Sequence, residues 1–175
     1  NLPSCTYGAP HASTTERAFA VWVLARTGAA KSSFIESIYT KRSELPLFGK
    51  AMLADAAFIG KSGHGPALLQ ELMNASKETA RDVHFEEGSN ERWSSYWSSD
   101  ARTSAIVLMT LVDMQPNHPY VPKIVHWLST EKKNGRLRST QEAAFALMAM
   151  TEVVRAKERE PADFNATFAL GSKAL

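Results

Sequence analysis

Four stretches of the chain share one pattern, in which alanine and other small residues alternate with large aliphatic and aromatic residues at helical spacing. Each is nearly free of charge through its middle, which is typical of a helix buried on most of its surface. Three more amphipathic stretches lie between them, with apolar residues on one face and charged residues on the other. The predicted inner helices span residues 15–28, 48–63, 100–116 and 140–154, and the predicted outer helices span 33–42, 66–82 and 120–133.

Several predicted helices have recognisable ends. A serine followed three residues later by glutamate forms a capping box, in which hydroxyl and carboxylate accept hydrogen bonds from backbone N–H groups that have no partner within the helix. Glycine or proline closes most of the predicted helices. The capping pairs are Ser13 with Glu16, Ser33 with Glu36 and Ser139 with Glu142, and the closing residues are Gly28, Gly60, Gly63, Pro116 and Gly135.

Small residues have a clear use in the stretch 140–154. They let helix axes approach closely, as is required when an inner layer of helices packs under an outer layer. The pattern therefore predicts an all-α fold with alternating inner and outer helices. We expect the contacts to be lined by Ala143, Ala144, Ala146 and Ala149, with Phe145, Leu147 and Met148 filling the gaps between them.

Two segments interrupt the helical texture. Residues 82–100, rich in serine and tryptophan, are predicted to form a short strand or loop that crosses one end of the helices. Residues 164–170 alternate apolar and polar positions, which predicts a strand without a partner elsewhere in this chain. We therefore divide the chain into a helical domain, 1–160, and a strand or linker, 161–175, that leads into a following β domain.

The composition argues against several classes of protein and of site. Twenty basic and 18 acidic residues give a net charge of +2, scattered along the 175 residues, so nucleic acid is not an expected partner. The single cysteine, Cys5, excludes an internal disulfide and a structural zinc site of several thiolates. No apolar run reaches the roughly 18 residues of a membrane span, and the first residues do not resemble a signal peptide. The first residue is not methionine, which suggests a piece of a larger precursor.

Catalytic and metal-binding patterns are weak. Nothing near Cys5 supports a nucleophilic pair, and we expect an inert thiol. The five histidines are dispersed, and no two have the spacing for metal capture on one helix face. Residues 60–65 lack the order of a phosphate-binding loop. We therefore assign no catalytic, cofactor-binding or metal-binding residue. The histidines are His11, His64, His84, His118 and His126.

An alternative hypothesis for the function rests on the acidic residues between 86 and 100. Many sugar-cleaving enzymes place two carboxylates on either side of the scissile bond, and aromatic residues can stack on sugar rings. This segment therefore keeps open a helical-toroid glycosidase or cyclase, and a general helical interaction scaffold is a third hypothesis. The acidic residues are Glu86, Glu87, Glu91 and Asp100, and the aromatic residues are Trp93, Tyr96 and Trp97.

The span from Trp93 to Leu170 resembles the later part of the thioester domain of bacterial α2-macroglobulins, which is similar to complement-type thioester domains. The resemblance lies in a prolyl-lysine helix with a Trp-Leu pair, an Asn-Gly turn, and a Ser-Thr-Gln start to an alanine-rich helix. The residues that carry it are Pro122, Lys123, Trp127, Leu128, Asn134, Gly135, Ser139, Thr140, Gln141 and Glu142.

This resemblance implies a partial α/α toroid and a non-enzymatic role in an endopeptidase inhibitor that traps proteases. Its implied partners are target proteases and neighbouring β-sandwich domains of the same precursor. Its implied location is the periplasm or cell envelope, with anchoring through an N-terminal part outside this chain. A partial toroid also leaves inner-helix surface uncovered, so we expect the isolated chain to associate.

Covalent capture in this family uses a thioester between Cys and Gln in a Cys-x-x-Gln motif. That motif does not occur in these residues, because Cys5 is followed by Thr6, Tyr7 and Gly8. The resemblance thus implies that the thioester pair lies upstream of this chain or is missing. The family's catalytic histidine cannot be assigned to any of the five histidines here.

Overall fold

The computed structural model describes residues 12–87, 99–131 and 137–158, together with 169–170 and 173–174. These residues form seven α-helices, one 3₁₀ turn and two short antiparallel strand pairs. The helices are α1 (Thr14–Arg26), α2 (Ser32–Tyr39), α3 (Leu47–Ile59), α4 (Gly65–Asn74), α5 (Asp100–Met114), α6 (Tyr120–Thr130) and α7 (Thr140–Glu158), and the 3₁₀ turn is Arg42–Glu44. The strands are β1 (Lys77–Glu78), β2 (Val83–His84), β3 (Ala169–Leu170) and β4 (Lys173–Ala174).

The helices alternate between two layers, as the sequence predicts. The inner helices α1, α3, α5 and α7 pack side by side in that order. Of the outer helices, α2 packs on α1 and α3, α4 packs on α3, and α6 packs on α5 and α7. The described part of the chain is therefore an arc of an α/α toroid.

The two central inner helices are buried almost along their whole length. Every residue from Ala101 to Val112 of α5 is buried, and α3 is buried from Ala51 to Ala57. Thr110 shows how closely α5 approaches α3, because its Oγ1 donates a hydrogen bond to the carbonyl of Ala51 at 3.1 Å. Small side chains and a satisfied hydroxyl thus make the close approach of the two axes possible.

Helix starts follow the predicted capping boxes in part. Ser13 and Glu16 form the complete box, with each side chain accepting a hydrogen bond from the other residue's backbone N–H. Ser139 accepts from the Glu142 N–H, but the Glu142 carboxylate accepts from the N–H of Arg138. The third prediction, for Ser33 and Glu36, is wrong.

The reason lies in the neighbouring outer helix. Helix α2 begins at Ser32 after Lys31, without a side-chain cap. The Glu36 carboxylate lies 2.9 Å from Nε2 of His64, at the start of α4. The Glu36 carboxylate therefore contacts the neighbouring outer helix α4 and does not cap the start of α2.

The predicted outer helix 66–82 is shorter than expected, since α4 ends at Asn74. Residues 77–78 instead pair with 83–84 as antiparallel strands, with Lys77 opposite His84. The turn between them is fixed by Thr79, whose N–H donates to the Asp82 carbonyl at 2.8 Å and whose Oγ1 accepts from the Asp82 N–H at 3.0 Å. This local turn competes with continuation of the helix.

Of the predicted strand 164–170, only Ala169–Leu170 lies within the described residues, and it is a strand. The expectation that this strand lacks a partner in this chain is wrong. It pairs antiparallel with Lys173–Ala174, and Ala169 lies opposite Ala174. The predicted domain boundary after residue 160 falls outside the described residues. Within the described part of the chain, no helix has the length and apolarity needed to cross a bilayer.

The edges of the arc expose apolar side chains. On α7, Ala146 and Ala149 are buried as predicted, but Ala143 and Ala144 are exposed. Leu147 and Met148 are also exposed, so the prediction that they fill gaps between helices is wrong. Exposed large apolar side chains on α7 and on α1, at the other edge, agree with the expectation that a partial toroid leaves inner-helix surface uncovered. They are Leu147, Met148 and Val154 on α7, and Phe19 and Val23 on α1.

Candidate functional site at the ends of the inner helices

A cavity of about 580 Å³ opens where the N-terminal ends of the four inner helices converge. Its wall surface is mostly apolar, although half of the residues that line it are polar or charged. A cavity of this size falls in the range of ligand pockets. The lining residues are Thr15, Glu16 and Phe19 of α1, Pro46, Phe48 and Met52 at α3, Glu87, Arg102 of α5, and Gln141 and Phe145 of α7.

Glu87 holds the first turn of α3 at this cavity. Its carboxylate accepts hydrogen bonds from the backbone N–H of Phe48 at 2.9 Å and of Leu47 at 3.3 Å, and from Thr103 Oγ1 at 2.9 Å. A carboxylate at a helix N-terminus satisfies free N–H groups and interacts favourably with the helix dipole. Glu87 therefore caps α3 and ties it to α5.

Asp100 is also used in structural contacts, because it accepts a hydrogen bond from the Glu87 backbone N–H at 3.0 Å. Glu86 is exposed and lies near His84 and Lys77. Neither arrangement resembles two carboxylates that face each other across a cleft. The described residues thus give no support to the glycosidase alternative, and its remaining residues, Glu91, Trp93, Tyr96 and Trp97, lie outside them.

Arg102 is the buried cation of the cavity, with 5% of its surface exposed. Its guanidinium stacks on the Phe48 ring, 4.3 Å from the centroid, and donates to Gln141 Oε1 at 3.2 Å. Burial lowers the pKa of Arg102, and the negative charges of Glu87 and Glu142 act in the opposite direction. Arg102 thus links the starts of α3, α5 and α7.

Glu142 completes this polar layer. Its carboxylate is almost fully buried and accepts hydrogen bonds from Ser99 Oγ at 2.6 Å and from the Arg138 N–H at 2.7 Å. Ser99 in turn accepts from the Arg102 N–H and so caps α5. The polar groups around the cavity are thus engaged in joining the starts of three inner helices.

A second polar cluster lies among the inner helices, formed by the last turns of α1 and α5 and by Asp55 of α3. The fully buried Asp55 carboxylate accepts from Trp22 Nε1 at 2.6 Å and from Arg26 Nε at 3.0 Å. Nη2 of Arg26 also lies 2.5 Å from Asp113 Oδ2. Burial and the negative charge of Asp55 raise the pKa of Asp113 to about 6, against the effect of Arg26.

Sequence reasoning did not single out Asp55, Arg102 or Asp113. All three are charged residues in long apolar helices that the sequence pattern assigns to the interior. A lone charged residue inside such a segment indicates a buried ion pair or polar cluster, because a buried ion needs a partner. The sequence does not show which partner it has.

The four histidines within the described residues have separate roles. His64 stacks on Tyr39, and His118 accepts a hydrogen bond from the Tyr120 N–H. His84 stacks on Trp127 with ring centroids 4.8 Å apart, and His126 Nδ1 lies 2.5 Å from Asp82 Oδ1. Among the described residues, no group of three or more potential ligands could hold a metal ion. His11 and Cys5 lie outside the described residues.

Comparisons with known proteins agree with this architecture. A family model described as the A-macroglobulin TED domain matches residues 23–153. No curated protein matches the chain significantly. Among three matching solved chains is the crystal structure of Salmonella alpha-2-macroglobulin reacted with methylamine, with a TM-score of 0.62 and 19% sequence identity.

That comparison covers 93% of this chain and 10% of the Salmonella chain, so the present chain spans about a tenth of its relative's length. At this identity the structural likeness shows the fold alone, which is the predicted α/α toroid. The family match is independent of it and covers α2 to α6 entirely, with most of α7 and only the last turn of α1. Since that match extends over more than half of the sequence, the chain belongs to the A-macroglobulin TED domain family.

Proposed function

We propose that this chain is the later part of a thioester domain in a bacterial protease trap, where it shields an internal thioester formed by residues elsewhere in the same protein. The observation that carries the proposal is the family match over residues 23–153. The full protein would act as an endopeptidase inhibitor rather than an enzyme. This chain's own role would be to exclude water and to release the thioester after bait cleavage.

The packing of the inner helices supports a shielding role. A thioester persists only where water cannot reach its carbonyl, so its domain needs a dry and closely packed interior. Helices α3 and α5 meet this need with unbroken buried stretches, Ala51–Ala57 and Ala101–Val112. The solved Salmonella relative was reacted with methylamine, and a primary amine is a nucleophile that attacks thioesters.

The location and partners follow from the proposed role. A protease trap is useful where foreign proteases meet the cell, so we place the full protein in the periplasm or cell envelope. Target proteases and neighbouring β-sandwich domains of the same protein are its proposed partners. Cell fractionation with an antibody against this domain tests the location, and recovery from the cytoplasm alone would contradict it.

A matched pair of substitutions in the full protein tests the shielding role. Ala105 of α5 is fully buried, whereas Ala67 of the outer helix α4 is exposed. Ala105→Asp places an unpaired charge among the inner helices and should admit water. We expect a free thiol before any protease is added, and loss of covalent protease conjugation. Ala67→Asp, on the outer layer, should keep both the thioester and conjugation.

Cleavage of the bait region serves as the internal control, because a normal cleavage pattern shows that the rest of the protein is folded. Deletion of residues 14–158 should abolish conjugation in the same assay. Normal conjugation by the deletion variant, or by Ala105→Asp with its thioester intact, would refute the proposal.

A further inference from the structure

Three inner helices meet in one cluster of charged side chains that the shielding role does not explain. Helix α1 contributes Arg26, α3 contributes Asp55 and α5 contributes Asp113. Glu152 of α7 also acts on Arg26, and it forms its own ion pair with Arg155. Among the described residues, the charges that act directly on Asp113 are Asp55 and Arg26.

Arg26 bridges the two aspartates. Its Nη2 lies 2.9 Å from Asp55 Oδ2 and 2.5 Å from Asp113 Oδ2, so the two carboxylates are held close to the same nitrogen. Two like charges at such a distance in a partly buried site repel each other strongly. The ionised cluster therefore holds α3 and α5 together less well than a cluster with one proton would.

Asp55 has an oxygen that suits such a proton. Its Oδ2 accepts hydrogen bonds from Trp22 and Arg26, but Oδ1 is buried and has no hydrogen-bond partner among the described residues. A buried acceptor without a donor is costly. A protonated Asp113 carboxyl group, held nearby by Arg26, is the donor that the cluster can supply.

We propose that in mildly acidic solution the protonated Asp113 carboxyl group donates a hydrogen bond to Asp55 Oδ1, so that the α1–α3–α5 cluster is a pH-sensitive joint of the inner helices. Protonation adds a carboxyl–carboxylate hydrogen bond and removes one negative charge. Loss of the proton restores the repulsion, and among the described residues only Arg26 then bridges the two carboxylates. The inner helices are therefore held more tightly in acid than at neutral pH.

The direction of the pH effect follows from proton linkage. Since the pKa of Asp113 is raised from 3.8 to about 6 in the folded chain, the folded state binds the proton more tightly than the unfolded state does. This contribution to stability is complete below pH 3.8, decreases as the pH rises towards 6, and is lost above that. The joint thus loosens between acid and neutral pH.

The Trp22 indole gives a local probe, because its N–H donates to the Asp55 carboxylate. In the ¹⁵N-labelled chain, we expect the Trp22 indole signal, assigned with Trp22→Phe, to move in one step with a midpoint near pH 6. Asp113→Asn should remove that step. Glu131→Gln, a substitution of an exposed carboxylate at the end of α6, should leave it unchanged.

Thermal unfolding gives a second readout. Between pH 4.5 and 7.5 the melting temperature of the wild type should fall by about 4 °C more than that of Asp113→Asn. A Trp22 signal that does not titrate, or that titrates equally in Asp113→Asn, would overturn the proposal. If Asp113→Asn does not fold, Asp113→Glu takes its place in the test. This substitution moves the carboxyl group and should therefore shift the pH midpoint of the Trp22 signal. An unchanged midpoint would refute the proposal that the cluster is a pH-sensitive joint.

Discussion

Trp22 of α1 and Phe145 of α7 lie side by side between the first and last inner helices, with ring centroids 6.4 Å apart and planes inclined by 38°. The two residues are 123 positions apart in the sequence. Aromatic pairs at this distance contribute to stability beyond their buried area. Helices α1 and α7, at the two edges of the arc, thus also meet through an aromatic side-chain contact.

Trp22 has a second contact that can be tested separately. Trp22→Phe keeps an aromatic ring beside Phe145 but removes the N–H that donates to the buried Asp55. We expect a loss of about 1–3 kcal/mol in the free energy of unfolding, measured with urea, because a buried acceptor loses a donor. Trp127→Phe is the control, since the Trp127 indole N–H bonds to no described residue. An equal loss in both variants would show that the hydrogen bond is unimportant.

Glu87 offers a test of the cap at the cavity. Glu87→Gln removes the charge that faces the first turn of α3 and weakens its contacts with Leu47 and Phe48. The expected cost is about 1–2 kcal/mol in urea unfolding. The adjacent and exposed Glu86 is the matched control, and Glu86→Gln should change stability by less than about 0.5 kcal/mol. Equal costs at the two positions would contradict the cap.

The two layers of helices could be predicted because the composition of a helix depends on how much of its surface is buried. A helix covered on most sides tolerates few charges, so α3 and α5 could be told from α2, α4 and α6 by composition and pattern alone. The uncovered edge was predicted instead from the family resemblance, which implies that this chain is only part of a toroid. The stretch 140–154 is alanine-rich on more than one face, but the described chain covers only one of them.

The polar clusters were not predictable, because each joins residues that are distant in sequence. Asp55 interacts with residues 29 and 33 positions away, and Arg26 reaches Asp113 at a separation of 87. Periodicity fixes which face of a helix a residue occupies, but it does not fix its partner on another helix. The same limit explains Glu36, whose carboxylate lies against His64 rather than in the predicted capping box.

Gly60 marks a close contact between the end of α3 and α2. A Cβ at this position would lie 2.7 Å from Ile35 Cδ1, which is too short for two carbon atoms. Gly60→Ala should therefore cost about 1–3 kcal/mol in urea unfolding, through overpacking of the fully buried Ile35. Adding Ile35→Val removes the opposing methyl group and should recover part of the loss.

Gly63 is the control for backbone strain at the same turn. Its φ is +79°, and a Cβ there would meet no atom within 4 Å. Gly63→Ala should also destabilise, by about 1–2 kcal/mol, but through the left-handed backbone conformation rather than through packing. Ile35→Val should not rescue it. If Ile35→Val recovers stability in both glycine variants, or in neither, the steric explanation for Gly60 is wrong.

The small-residue contacts of α7 can be tested by replacing alanine with leucine at a buried position and at an exposed position of the same helix. Ala149 is fully buried in the packing of α7 against its neighbours, whereas Ala144 is exposed on the uncovered side. Ala149→Leu should destabilise the chain by about 1–3 kcal/mol in urea unfolding, since a well-packed contact cannot accept three more carbon atoms without strain. Ala144→Leu should change stability by less than about 0.5 kcal/mol.

The exposed position has its own expected effect, on association. Ala144→Leu enlarges an apolar surface that already contains Leu147, 70% exposed, and Met148, 45% exposed. Light scattering should therefore show more self-association than in the wild type, and Leu147→Lys should show less. A wild-type chain that stays monomeric at every concentration, with no change in either variant, would mean that this edge does not drive association. Equal destabilisation by the two leucine substitutions would mean that alanine at position 149 is not required for close packing of the inner helices.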